Sequence, residues 1–139
     1  MGKTLVLMVI VSNLLLASEG MVKKLKGKAE VERGKQVIVL KVGSRLQSSD
    51  TILTKPKSSV GITFDDGSRL ALGSGTTLLI NKFEFDPNKK KYDIDLDLKK
   101  GKAVFSSGKV GELAPESVKF RIPEGIIGIR GTKFAVEVK

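Results

Sequence analysis

Three sets of side chains stand at spacings that chemistry could use. Asp93, Asp95 and Asp97 alternate along one segment, Ser106 and Lys109 form a Ser-x-x-Lys pair, and lysines cluster at Lys23-Lys24-x-Lys26-x-Lys28 and Lys89-Lys90-Lys91. Alternate aspartates on a strand lie about 6.6 Å apart along one face and diverge. Calcium needs about six to eight oxygens converging at roughly 2.3–2.6 Å, which loops supply. The three aspartates therefore read as the solvated face of a strand, and the Asp86-Pro87-Asn88 turn adds too few acids to change that. Ser-x-x-Lys sets a lysine beside a serine nucleophile when a helix start carries both. Gly108 interrupts the pair here and strands are expected on either side, so the spacing reads as coincidence. Gly2-Lys3-Thr4 lacks the earlier glycine that a phosphate loop requires.

What the chain lacks narrows the chemistry further. Its 139 residues contain no Cys, His or Trp. Thiolate nucleophiles, disulfides, imidazole bases and His- or Cys-held zinc are excluded. Carboxylates, lysines, hydroxyls and Tyr92 are what is left, and no constellation of them points to catalysis, a metal or a cofactor. A non-enzymatic, turn-rich binding or structural domain is the expectation.

The N-terminus reads as an export signal. Lys3 precedes a nearly unbroken apolar run from Thr4 to Ala17, followed by Ser18-Glu19-Gly20. The run is shorter than the roughly 20 residues of a membrane span, so residues 1–20 are read as a signal peptide cut at Gly20/Met21, with a cut after Ala17 as the rival. An uncleaved anchor is the alternative. No Cys follows to carry a thiol-linked lipid. The expected location is periplasmic or secreted, with no stable membrane span after cleavage.

Lys and Arg number 25 against 15 acids, a net charge of +10 that loss of Lys3 and Glu19 leaves unchanged. In the cytoplasm such an excess points to nucleic acid. Outside it, no nucleic acid is expected, and the polyanions on offer are lipopolysaccharide, lipid head groups and cell-wall polymers. Scattered lysines on strands more commonly solvate a face and protect an edge.

The elements that must hold these residues have a period of two. Asp93-Ile94-Asp95-Leu96-Asp97-Leu98 is the cleanest alternation. Val60, Ile62 and Phe64 alternate with small or polar residues, as do Val118, Phe120 and Ile122, and Phe134, Val136 and Val138. The run Val37 to Val42 is apolar enough for a strand buried on both faces. Leu78 and Ile80 differ in parity from Phe83 and Phe85, which predicts a bulge near Asn81-Lys82. Gly- and Pro-containing turns separate these runs, and Asp66-Gly67 between Phe64 and Leu70 predicts a hairpin with a type I′ turn. The fold class is all-β: a single domain of short antiparallel strands, arranged as a two-layer sandwich, a barrel or a short β-solenoid.

With the strands placed, four stretches resemble the FecR domain. They are Val42-Gly43-Ser44-Arg45-Leu46 running on to Asp50-Thr51-Ile52-Leu53-Thr54, Ser59 to Leu70 with its Asp66-Gly67-Ser68, Leu96 to Ala103, and Pro123 to Val136 with its Arg130-Gly131-Thr132. Ser49 departs from the family, which usually has Gly before Asp50. The resemblance implies an all-β periplasmic domain over residues 23–139, with Asp50, Thr54, Asp66, Gly67, Ser68, Arg130, Gly131 and Thr132 at its marked positions. It also implies kinship with regulators that relay iron-siderophore occupancy of an outer-membrane transporter to a cytoplasmic sigma factor. No sigma-binding region, no membrane helix followed by a long periplasmic tail and no extra transporter-contacting region are recognised here. A stand-alone exported module is therefore expected. Arg130 reads as an internal tie to Asp50 or Asp66, since buried charges persist mainly when paired. Two functions stay open: recognition of an envelope protein by strand or loop contacts, and binding of lipopolysaccharide or cell-wall polyanions through the lysine excess.

Overall fold

The computed structural model describes residues 19–129 and 133–139. In chain order the strands are β1 (Gly20–Lys26), β2 (Ala29–Arg33), β3 (Gln36–Val39), β4 (Arg45–Leu46), β5 (Thr51–Thr54), β6 (Ser59–Phe64), β7 (Arg69–Leu72) and β8 (Thr77–Asp86). The long β9 (Lys91–Ser106), a short helix α1 (Lys109–Leu113) and a 3₁₀ turn at Pro115–Ser117 follow. The chain closes with β10 (Val118–Ile122), β11 (Gly125–Ile127) and β12 (Lys133–Val138).

The twelve strands of the described residues belong to one curled sheet, a half-barrel, with neighbours in the order β3-β2-β5-β8-β9-β7-β6-β1-β4. The chain is a single all-β domain. The facing layers of the expected sandwich are two parts of this one sheet, because β9 runs through both. Lys91 to Lys100 pairs with β8, and Gly101 to Ser106 pairs with β12, with β7 on the other side. Most ladders are antiparallel as expected, but β10 lies parallel to β9, reached by a connection that carries α1. The bulge appears where parity changes, between Ile80 and Lys82.

Alternation decides which side chains face inward. Ile94, Leu96 and Leu98 are buried while the intervening aspartates are not. Val60, Ile62 and Phe64 fill the same core from β6. Aromatic rings join the two parts of the sheet: Phe64 stacks on Phe83 at 4.5 Å, and Phe120 meets Phe134 edge-on at 5.1 Å. Each fully buried apolar side chain contributes about 1.5–3 kcal/mol, and Phe134, half-buried, less.

Three local expectations are corrected. The run from Val37 is not buried on both faces: β3 ends the sheet, with Val37 58% and Val39 71% exposed, and Leu40 alone of the run fully turned inward. Apolar alternation cannot distinguish a central strand from an edge. The Asp66-Gly67 hairpin forms, but only Gly67 has positive φ, at 89°. Gly67 N–H donates to Phe64 O and Phe64 N–H to Ser68 O, a three-residue loop closed by a left-handed residue rather than a type I′ turn. Lastly, Lys109 opens α1 where strands were expected on both sides.

Candidate functional site

The marked polar residues form three locks that close loops onto the sheet. Asp50, fully buried ahead of β5, accepts Arg33 Nε on Oδ1 at 2.8 Å, and Arg33 Nη2 and Gln47 N–H on Oδ2 at 2.8 and 2.9 Å. This guanidinium comes from Arg33, at the end of β2. The fork of the guanidinium matches both carboxylate oxygens, which fixes orientation as well as charge. The same Nη2 also donates to Arg45 O at 3.2 Å, so β2, β4 and β5 are fastened at one corner. Arg130, Gly131 and Thr132 lie outside the described residues.

Asp66 builds the second lock. Its Oδ1 accepts Ser68 N–H at 2.9 Å, and its Oδ2 accepts the Ser68 hydroxyl at 2.9 Å and Val110 N–H at 3.1 Å. Lys109 N–H donates to Asp66 O and Gly108 N–H to Ser68 Oγ. No side chain of α1's own N-cap serves its first amides. The β6–β7 turn serves them instead, a cap supplied from 44 residues away. Gly108 makes this approach possible, since a Cβ there would overlap the backbone of Asp66, Gly67 and Ser68. Gly108 and Val110 went unrecognised as part of the motif, because a contact of backbone with backbone leaves no side-chain signature.

Thr54 forms the third. Its hydroxyl donates to Gly73 O at 2.5 Å and accepts Thr76 N–H at 2.8 Å, and Thr76 Oγ1 in turn accepts Lys102 N–H at 3.0 Å. Thr76, buried like Thr54, was not among the expected residues.

The three aspartates of β9 do not converge. Asp93 meets Lys82, Asp97 meets Lys99, and Asp95 holds Arg121 of β10 by two bonds at 2.7 and 2.9 Å. Hydrogen bonding from Arg121 holds the Asp95 carboxyl below the usual aspartate range.

One edge is left open. Leu40 N–H donates to Ala29 O, and the ladder pairs Val39 with Glu30 and Val37 with Glu32. By the alternation of antiparallel ladders, the N–H and C=O groups of Val37 and Val39 point away from β2. Among the described residues no strand pairs with that outer side.

The buried polar groups described above are bonded within the chain, and strand-forming groups face outward at the edge. Fold and site together define an all-β domain whose loops are closed by polar locks. The family profile described as FecR protein matches residues 50–139, from the buried Asp50 to the last residue, and the chain belongs to that family. It is a regulatory and sensing family. Comparison with curated proteins and with solved structures returns no match. No helix among the described residues is long and apolar enough to cross a membrane.

Proposed function

We propose that the protein is a non-enzymatic binding module of the cell envelope, exported by the apolar run from Thr4 to Ala17 with the chain cut after Ala17, that recognises a protein partner by adding one of that partner's strands to β3. The observation that carries this reading is the open edge at Gln36–Val39. Its outward backbone groups sit beside two valines more than half exposed. A strand edge with unpaired backbone groups and exposed apolar side chains can accept a further strand, and four residues suffice for a short one.

Charge favours a foreign strand over a second copy. Lys35 and Lys41 bracket β3. Antiparallel self-pairing about Ile38 would set each Lys35 opposite the other copy's Lys41, and like charges directly opposite destabilise a ladder. An extended segment with alternating apolar residues and acidic ends fits both the valines and the lysines.

A photo-crosslinking residue at Val37 tests this in envelope-localised protein. A discrete adduct is expected, and it should vanish in the Val39→Pro variant, which removes an outward donor without removing a bond to β2. An adduct that persists in Val39→Pro, or one whose mass is that of two copies, would overturn the reading.

A further inference from the structure

Cations are distributed unevenly over the outer surface. On the part of the sheet built from β2, β5, β8, β10 and the first section of β9, Arg33, Lys55, Lys82, Lys99 and Arg121 each face a carboxylate, while Lys91, Lys100 and Lys119 form no ion pair among the described residues. On the other part, Lys24 of β1, Arg69 of β7 and Lys133 of β12, with neighbouring Lys23, border a depression of about 540 Å³. None of these four forms an ion pair among the described residues, and no acid lines the depression.

The ladder explains its shape. Thr63, Arg69, Ser106 and Lys133 form one row across β6, β7, β9 and β12, and Gly61, Ala71, Val104 and Ala135 form the next. Lys24 pairs with Gly61. Small side chains make the floor, and long cationic ones make the walls. The core residues Ile62, Leu70 and Phe105 take the opposite face.

We infer that this trough binds a linear polyanion laid across the strands, its oxyanions repeating at about 10 Å or closer. Lys24 and Arg69 are two strands apart, as are Arg69 and Lys133, or about 10 Å for each pair and about 19 Å in all. One small anion cannot reach all of them. A chain of phosphates meets each in turn, with the Thr63 and Ser106 hydroxyls as further donors. A recessed wall of one sign focuses potential on a bound anion. A membrane surface fits less well, because the most exposed large apolar side chains, Val37, Val39, Val42, Leu113 and Ile126, all lie outside the trough. This site is independent of the β3 edge.

The test measures binding of labelled polyphosphate, long enough to span about 19 Å, to the purified full-length chain. Two triple variants remove equal charge: Lys24→Gln/Arg69→Gln/Lys133→Gln in the trough, and Lys89→Gln/Lys90→Gln/Lys91→Gln at the exposed β8–β9 turn. The trough variant should bind about 10- to 100-fold more weakly. The turn variant should stay within about twofold at physiological salt, where screening reaches about 8 Å. Arg69→Gln alone should lose about three- to fivefold, which serves if the triple variant folds poorly. Equal losses in both triple variants would reduce the effect to net charge and overturn the site. So would full competition by inorganic phosphate at the same phosphorus concentration, or binding to anionic phospholipid vesicles but not to polyphosphate.

Discussion

Asp66→Ala tests whether the marked residues act as structural locks. Among the described residues the carboxylate accepts three donors, of which those of Ser68 are fully buried and Val110 N–H lies at the start of α1. A buried donor left without its acceptor costs about 1–3 kcal/mol. Water entering the space left by truncation can serve the Ser68 hydroxyl, so the expected loss is about 3–5 kcal/mol from a total of about 5–15 kcal/mol. Asp66→Asn keeps the volume and one acceptor oxygen but turns an amide against a donor, for an expected loss of about 2 kcal/mol. Urea unfolding followed by circular dichroism measures both, since the chain has no Trp. Amide exchange at Val110 separates undocking of α1 from global loss, because release of the cap should speed exchange there first. A double-mutant cycle with Ser68→Ala should give a coupling above about 0.5 kcal/mol. If Asp66→Ala unfolds within about 0.5 kcal/mol of wild type with Val110 exchange unchanged, the lock does not exist as described.

Three further outcomes are expected. Ser49 has φ of 76°, the left-handed region that the family's usual glycine occupies freely, so Ser49→Gly should stabilise the fold by about 0.5–1 kcal/mol in the same urea assay. A chain started at Met21 should be less stable than one started at Ser18 by about 2–4 kcal/mol, as calorimetry would show. It lacks the Glu19 carboxylate that Ser48 binds and the Glu19 backbone bonds to Leu46 and Asp65. Because Arg121 depresses the Asp95 pKa, the contribution of that pair is complete above the unfolded aspartate value of about 3.9 and disappears as pH falls through the lower folded value. The stability gap between wild type and Arg121→Gln should therefore be constant at neutral pH and close in acid; a gap that widens below pH ~4 would contradict this.

The sequence disclosed whatever rests on local alternation. Asp93 to Leu98 determined its own inward and outward faces, and the parity change near Asn81 located the bulge. Less was legible where the deciding partner is remote. Asp50 was marked, but its cation is Arg33, 17 residues earlier, in a strand where no sequence pattern distinguished it from other basic residues. The helix α1 spans five residues including Gly111, too short for a periodic stripe, and its cap comes from another hairpin. Val37 and Val39 looked like core because patterning records hydrophobicity and not the end of a sheet. The trough was invisible for a similar reason: Lys24, Arg69 and Lys133 meet only through four ladders.

The shared strand β9 has a consequence for the order of events during synthesis. Earlier segments can form the β2–β3 and β6–β7 hairpins as they emerge, but β8 and β7 both wait for Lys91 to Ser106 before their ladders are complete. The β8–β9 ladder is a local hairpin, but β7 reaches β9 across the whole of β8, and such closure is slow because loop entropy is lost before the distant contacts repay it. The nascent chain therefore has no closed core until its last third has been made. Until then the growing chain holds isolated hairpins, and the sheet curls shut in one late step.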